Sequence, residues 1–254
     1  MKVIRTIAEL ETAPDTGLVP TMGALHDGHR ALFRAARAEN ERVVMSLFVN
    51  PAQFDEPTDL DAYPRDEERD LDLAEEEGVD AVFAPDFDEL YPTGFATWVE
   101  PDDTGAEGAA RPGHFRGVAT VCLKLFNVVR PERVYFGQKD AQQVAVVRRL
   151  VRDLNVPVEI RVVPTVRNPD GLALSSRNRR LSADERERAL ALPRALREAV
   201  ASPDPAATAR GSLNGLDPEY VEVLDLGDAK VLAAAVRVGS TRLIDNVLLE
   251  GEIR

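Results

Sequence analysis

Over residues 1–175 of the chain, short β-branched runs alternate with longer stretches in which apolar residues recur every three or four positions. The runs "GLVPT" (17–21), "RVVMSLFV" (42–49), "VDAVFAP" (79–85), "RVYFG" (133–137) and "VEIRVVPTV" (158–166) read as strands. The spacing predicts helices over 26–40, 65–78, 118–129 and 141–155; in the last, Val144, Val147, Val151 and Leu154 share a face, and Arg148, Arg149 and Arg152 form the polar one. Strands alternating with helices predict an α/β protein, a Rossmann-like parallel sheet with helices on both faces.

The pattern changes after "LALSSRN" (172–178). "LSADERERALALPRALREAVA" (181–201) is polar and helical, with Pro193 expected to kink or split it, and "SPDPAA" (202–207) reads as a turn-rich interruption. Two β-rich pieces follow, "EYVEVLDL" (219–226) and "STRLIDNVLLEG" (240–251). A boundary between Ser175 and Ser176 is expected, separating a nucleotide-type domain (1–175) from a small C-terminal α+β domain (176–254). Ligands of doubly wound sheets collect beyond the carboxyl ends of the strands. "PTMGALHDGH", "VNPAQF", "FGQKDAQQ" and "RNPDGLALSSRN" all fall at or near such ends.

With 254 residues, 44% hydrophobic and 30% charged, the chain fits an ordinary globule of one large domain or a domain plus a smaller one. No apolar run approaches the roughly 18 to 20 residues of a spanning helix, and "MKVIRTIAELET" lacks the apolar core of a secretory signal, so a cytoplasmic protein is expected. Cys122 is the single cysteine, which rules out an intramolecular disulfide and suits a small buried hydrophobe. The acidic run at 75–77 reads as a solvated face before the helix-ending Gly78. A net charge of -13 opposes binding to nucleic acid or anionic membranes, so any anionic substrate needs a focused cluster of donors.

Such a cluster is on offer. In "TMGALHDGH" the chain leaves a strand, turns at Gly23 and enters a helix, so exposed backbone N–H groups and the positive helix end form a seat for phosphate. His26 and His29 fall on one face of the first turn, where both can donate to phosphate oxygens, and Gly28 keeps the approach open. A packing pair and a zinc pair compete with this reading; no cysteine or third histidine is near, and the Gly turn after a strand favours phosphate. In "GQKDAQQ", Gly137 allows close backbone approach, Lys139 supplies a mobile charge, and Asp140 can cap a helix or bind a ribose hydroxyl or metal. A capped helix with a surface lysine fits the same residues. Ser175, Ser176 and Arg177 suit a polyphosphate, since Ser182 is available to cap the next helix. Gln53 aims at the same rim, suited to a hydroxyl or carboxylate. Arg111, His114 and Arg116 fit an anion site or a basic loop, while Asp59 and Asp61 fit metal contacts or an acidic surface equally.

Together with "DAYPR", "RPGHFRGVATVCLKLFN", "YVEVLD" and "TRLIDN", these motifs run in order nearly end to end, and the chain resembles the pantoate-beta-alanine ligases, or pantothenate synthetases, of the nucleotidyltransferase superfamily with HIGH-type motifs. The resemblance implies a reaction in two halves: ATP and the carboxylate of pantoate give pantoyl adenylate and pyrophosphate, then the amine of beta-alanine displaces AMP to leave pantothenate. It also implies Mg2+ with ATP and a homodimer; because the acyl adenylate must be kept from water, the small domain is expected to close over the active site. Carried over by position, Met22, Gly23, Ala24, Leu25, His26, Asp27, Gly28, His29, Gly137, Gln138, Lys139, Asp140, Val166, Leu174, Ser175, Ser176 and Arg177 match ATP contacts. Gln53 and Gln143 match the pantoate-binding glutamines, Gln53 also lying near beta-alanine, and His29 matches the residue usually assigned as proton donor. Catalysis is expected from His26, His29, Lys139 and Arg177; the metal ligands are not identified.

The chain departs from the family where the usual Gly-Pro-Asn-Glu-type loop reads "DEPT" (55–58), at Pro193, and in a trimmed small domain. Two rival functions use the same strand, turn and histidine pair: a nucleotidyltransferase that leaves AMP on its product, and a noncatalytic adenine-nucleotide sensor. The glutamines lean towards a small hydroxy acid, and a sensor has little need of paired histidines, Lys139 and a Ser-Ser-Arg loop together.

Overall fold

The structure, a computed structural model, describes residues 1–55, 57–102 and 105–253. The strands are β1 (Lys2–Ile4), β2 (Thr16–Thr21), β3 (Arg42–Leu47), β4 (Ala81–Phe83), β5 (Arg133–Gly137), β6 (Glu159–Val163), β7 (Asp217–Asp225), β8 (Ala229–Val238) and β9 (Thr241–Gly251). The helices are α1 (Asp27–Glu39), α2 (Pro57–Asp61), α3 (Glu67–Glu76), α4 (Phe87–Leu90), α5 (Ala106–Ala110), α6 (His114–Val129), α7 (Ala141–Asp153), α8 (Ala183–Ala189), α9 (Ala191–Ala199) and α10 (Pro205–Ser212).

Strands β1 to β6 form one parallel sheet in the order β1-β4-β3-β2-β5-β6. From β2 the chain steps to β3 and β4 on one side, and from β5 to β6 on the other, so the direction of winding reverses between β2 and β5. The strands are apolar on both faces because both are covered. Leu18, Val44, Phe83 and Val134 pack with Phe115, Val118 and Cys122 of α6 and Val144 and Val147 of α7. Their strand neighbours Val19, Val43, Met45, Val82 and Tyr135 pack on the other face with Leu32 and Phe33 of α1 and Leu73 and Ala74 of α3. Buried in that core, the Cys122 thiol is pushed up to about 12 by loss of solvent, the inert hydrophobe the sequence suggests. Among the described residues no helix is long and apolar enough to cross a membrane.

Several elements differ from the reading of the sequence. Helix α6 begins a turn earlier than expected, because Gly113 takes a left-handed conformation (φ 83°) just ahead of His114. "SPDPAA" holds a helix start: Asp204 accepts from the Ala207 N–H (3.0 Å), and Pro205 occupies the first turn, where no N–H is needed. Pro193 likewise sits in the first turn of α9, and the break between α8 and α9 falls at Leu190. Strand β1 is too short to register as a pattern. Strand β8, "AKVLAAAVRV", has an alanine run of high helical propensity, overridden by burial on both faces. Its Leu232, Ala234 and Val236 pack on Leu192 and Leu196 of α9, and Val231, Ala233 and Ala235 pack on Ala106, Ala141 and Tyr220. The β7-β8-β9 sheet is antiparallel throughout.

The acidic run at 75–77 serves ion pairs. Glu76 and Glu77 meet Arg30 (2.7 and 2.6 Å), Glu77 also meets Arg34 (2.7 Å), and Glu75 meets the N-terminal ammonium (3.0 Å). A more consequential pair joins α5 to the antiparallel sheet. Glu107 of α5 receives both arms of the Arg242 guanidinium (2.9 and 2.8 Å), the Tyr220 hydroxyl (3.1 Å) and Arg111 (3.4 Å). Burial alone would raise the Glu107 pKa, but the hydrogen bonds and charge of Arg242, with Arg111 behind it, hold it down to about 2. A carboxylate depressed on folding stabilises the native state above its unfolded pKa of 4.5 and stops doing so as pH falls through about 2. The stabilisation is on the order of 3 kcal/mol. Urea unfolding of wild type and Glu107→Gln should therefore show a stability gap at pH 7 that shrinks as pH drops from 4.5 to about 2; a gap independent of pH would contradict the pairing.

Candidate active site

A cleft of about 280 Å³ opens at the carboxyl ends of β2 and β5, where the winding reverses, and its far wall is β7 to β9. The turn after β2 enters it through two left-handed residues, Gly23 (φ 80°) and Ala24 (φ 52°). A Cβ on Gly23 would lie 2.7 Å from Asp70, so glycine is needed there for space as well as conformation. The N–H groups of Ala24 and Leu25, expected to face a phosphate, instead donate to the buried Asp70 carboxylate of α3 (2.7 and 2.8 Å). Burial raises the Asp70 pKa while those two N–H groups oppose the rise. Gly23, Ala24 and Leu25 thus shape the turn without lining the cleft, and Asp27 is exposed and pairs with Arg30 (3.6 Å). Nothing in the local sequence pointed to Asp70, which lies on another helix.

What the turn presents is imidazole. The Gly28 N–H donates to Nδ1 of His26 (3.1 Å), and the His26 N–H donates to Nδ1 of His29 (3.2 Å). A nitrogen that accepts carries no proton, so each neutral ring keeps its hydrogen on Nε2, the atom left for a ligand. Gly28 is required by this arrangement: a Cβ there would sit 2.8 Å from the His26 ring. Burial, then the charges of Lys139 and Arg179, lower the His26 pKa to about 4. Burial, then His26 and Lys139, hold His29 well below 6.5. The rings lie 4.2 Å apart and are uncharged at neutral pH.

Across the cleft, the short turn Gln138–Asp140 after β5 brings Lys139 and Asp140 to the lining, with open space beside Gly137. Asp140 occupies the N-cap position of α7 but does not cap it; its carboxylate meets Lys139 (3.4 Å). Gln138 contributes no lining atoms. Val166, Leu174, Ser175, Ser176 and Arg177 close the mouth. Ser175 caps the short turn Ser176–Arg180 by accepting from the Arg177 N–H (3.3 Å), and Ser182 caps α8, so both serines have capping roles. Asp59, weighed as a metal contact, binds Arg177 (2.8 Å) and Arg180 (2.9 Å); the two guanidiniums lower its pKa against the effect of burial. Glu56, in the atypical loop, lies outside the described residues.

The third region is built around Gln53. Asn50, fully buried, donates to the Gln53 Oε1 (3.0 Å), accepts from the Tyr91 hydroxyl (3.0 Å) and donates to the Gly117 carbonyl (3.2 Å). With Oε1 occupied, the Gln53 amide turns its N–H groups elsewhere. Its backbone carbonyl accepts from Arg111 (3.1 Å) and from His114 Nδ1 (2.8 Å), which orders the turn Pro51–Gln53 from below. His114 and Arg111 are buried, and burial followed by the Arg111 charge lowers the His114 pKa to about 4. Gly117 lets α6 approach, since a Cβ there would stand 2.3 Å from the Ala52 carbonyl oxygen. Arg116 points away and stacks on Trp98 (4.3 Å). Gln143 lines the cleft, while its neighbour Gln142 ties α7 to α5 by accepting from the Glu107 N–H (2.9 Å). Arg242, Asp245 and Asn246 also line it; their distance in sequence hid them.

A sequence model described as pantoate-beta-alanine ligase matches residues 2–248. The chain belongs to the pantoate-beta-alanine ligase family. It is 53% identical to the pantothenate synthetase of Roseiflexus sp. (strain RS-1) over 98% of this chain and 100% of that one. The solved structure of pantothenate synthetase from Thermus thermophilus superimposes with a TM-score of 0.93 at 44% identity, covering 98% of this chain and 99% of that one. The pantoate-beta-alanine ligase from Francisella tularensis, solved in complex with beta-gamma ATP and beta-alanine, does so with a TM-score of 0.88 at 36% identity over 100% of both chains.

The histidine chemistry has a direct readout. Below 6.5 an unfolded histidine binds a proton that the folded His26 or His114 refuses until about pH 4, so native stability falls as pH drops through that interval. Imidazole NMR resonances should stay flat from pH 8 to roughly 5. Any ring of the three titrating near 6.5 would refute the neutral-donor geometry.

Proposed function

We propose that this chain catalyses the ATP-dependent condensation of pantoate with beta-alanine to pantothenate, through a pantoyl adenylate, with release of AMP and pyrophosphate. The observation that carries this is the joining, in one cleft, of donors suited to a polyphosphate with glutamine amides suited to a small hydroxy acid. The ATP and beta-alanine bound to the Francisella relative support it.

In this reading His26, His29, Lys139, Ser175, Ser176 and Arg177 hold the triphosphate, Gly28 keeps the approach to them open, and Met22, Gly137, Asp140, Val166 and Leu174 enclose the nucleoside. Gln53 and Gln143 bind pantoate. Attack of a carboxylate on the α-phosphorus brings two anions together, and Lys139 and Arg177 offset that repulsion. His26 and His29 act through their Nε2 hydrogens as pyrophosphate departs. Giving up that hydrogen would leave an imidazolate, so His29 is proposed as a hydrogen-bond donor rather than a proton donor. Arg177 must exchange Asp59 for phosphate oxygens, which couples nucleotide arrival to the loop 172–178.

Mg2+ would accompany the triphosphate and supply charge neutralisation there. Among the described residues no three His, Cys, Asp or Glu side chains group into a metal cage. Asp140, a carboxylate lining the cleft beside Lys139, is the residue that would hold such an ion. We further propose a boundary at 175/176, with residues 176–254 closing over the site, and a homodimer acting in the cytoplasm. The cluster of α9 with one face of β8 supports the boundary, while Val231, Ala233 and Ala235 on the other face of β8 pack across it on Ala106 and Ala141.

The decisive assay is AMP release from ATP with pantoate, with and without beta-alanine: the ligase releases AMP with formation of an amide, whereas a transferase leaves an adenylated product. His29→Ala should lose roughly 3 to 4 kcal/mol of transition-state stabilisation, a rate loss of about 10² to 10³; unchanged turnover would remove His29 from the mechanism. Hydrogen exchange in 172–178 should slow on addition of ATP, and identical exchange with and without ATP would count against the Arg177 hand-over.

A further inference from the structure

Strand β9 belongs to the antiparallel sheet, yet it reaches the turn that carries Lys139. Asn246 is buried, and its Nδ2 donates to two successive backbone carbonyls, Gln138 (3.0 Å) and Lys139 (2.8 Å). Carbonyl oxygens only accept, so the amide orientation is fixed by chemistry: both hydrogens face the turn. Asn246 is itself held, since its N–H donates to Asp245 (2.8 Å), whose carboxylate takes both arms of Arg167 (2.6 and 2.9 Å). Asp140 does not cap α7, its carboxylate meeting Lys139 instead, and the space beside Gly137 is open.

We propose that Asn246 is a positioning residue that sets Lys139 for the nucleotide, an inference that rests on the ATP-dependent reading above. The nucleotide side of the cleft then takes its geometry from the C-terminal sheet. On the same strand, Arg242 acts towards the opposite side, through Glu107 and Arg111 to the Gln53 turn.

Asn246→Ala removes both donors. Asn246→Asp keeps the shape but puts a carboxylate against two carbonyls, and it regains one donor when protonated. In pantoate-dependent exchange of pyrophosphate into ATP, both variants should lose about 10- to 100-fold in kcat/KM for ATP, the scale of a misplacement near 1 Å. The KM values for pantoate and beta-alanine should stay within about twofold. The Asp variant should recover towards wild type as pH falls, whereas the Ala variant should not. Arg242→Lys should weaken pantoate first. Wild-type ATP kinetics in both variants, or a loss spread evenly over all three substrates, would overturn the assignment. An active wild type with unaltered variants sinks this inference alone; a wild type that releases no AMP sinks the functional reading and the inference with it.

Discussion

The cleft depends on one topological constraint, the reversal of winding between β2 and β5. These strands are neighbours, yet the connections leaving them diverge, so no crossover fills the space beyond their carboxyl ends. The turn after β2 delivers the histidines there and the turn after β5 delivers Lys139. The 51–53 turn after β3 and the 164–177 segment after β6 complete the rim from either side. Because a parallel sheet is buried on both faces, strand ends are where its sequence is free to carry polar groups.

The electrostatics of this rim differ from a simple basic pocket. In a chain of net charge -13, the cleft is lined by few cations, most already engaged. Lys139 has Asp140, Arg177 has Asp59, and Arg111 and Arg242 share Glu107. The pKa values of His26 and His29 are lowered by burial first and by the charge of Lys139, with Arg179 acting on His26 as well. Such a cleft offers aligned donors more than free positive charge, because its cations already have carboxylate partners. That arrangement avoids isolated buried charges, each of which would be costly.

Local order around the cleft is maintained from a distance. Asp70 on α3 takes the amides of the histidine turn, Asn50 and His114 orient Gln53, and Asn246 on β9 holds the Lys139 turn. Each support is a buried polar side chain that hydrogen-bonds the backbone or amide it positions, which favours a single geometry. The Glu107 and Arg242 pair makes the antiparallel sheet part of the same framework.

The alternation of strand and helix up to β6 was legible because period-2 and period-3.6 apolar patterns are local properties of the chain. The residues at the strand ends were legible too, since glycine turns, paired histidines and a Ser-Ser-Arg loop carry their chemistry in their spacing. Strand β8 was not, because an alanine run favours helix until two apolar surfaces enclose it. Nor could the sequence say that the amides of Ala24 and Leu25 would be spent on Asp70, or that Arg242 and Asn246 would face the cleft. Those contacts join residues far apart in the chain, and only packing brings them within hydrogen-bond reach. The sequence by itself determined which chemical groups are present and at which strand ends; the tertiary structure decided which of them remain available to a ligand.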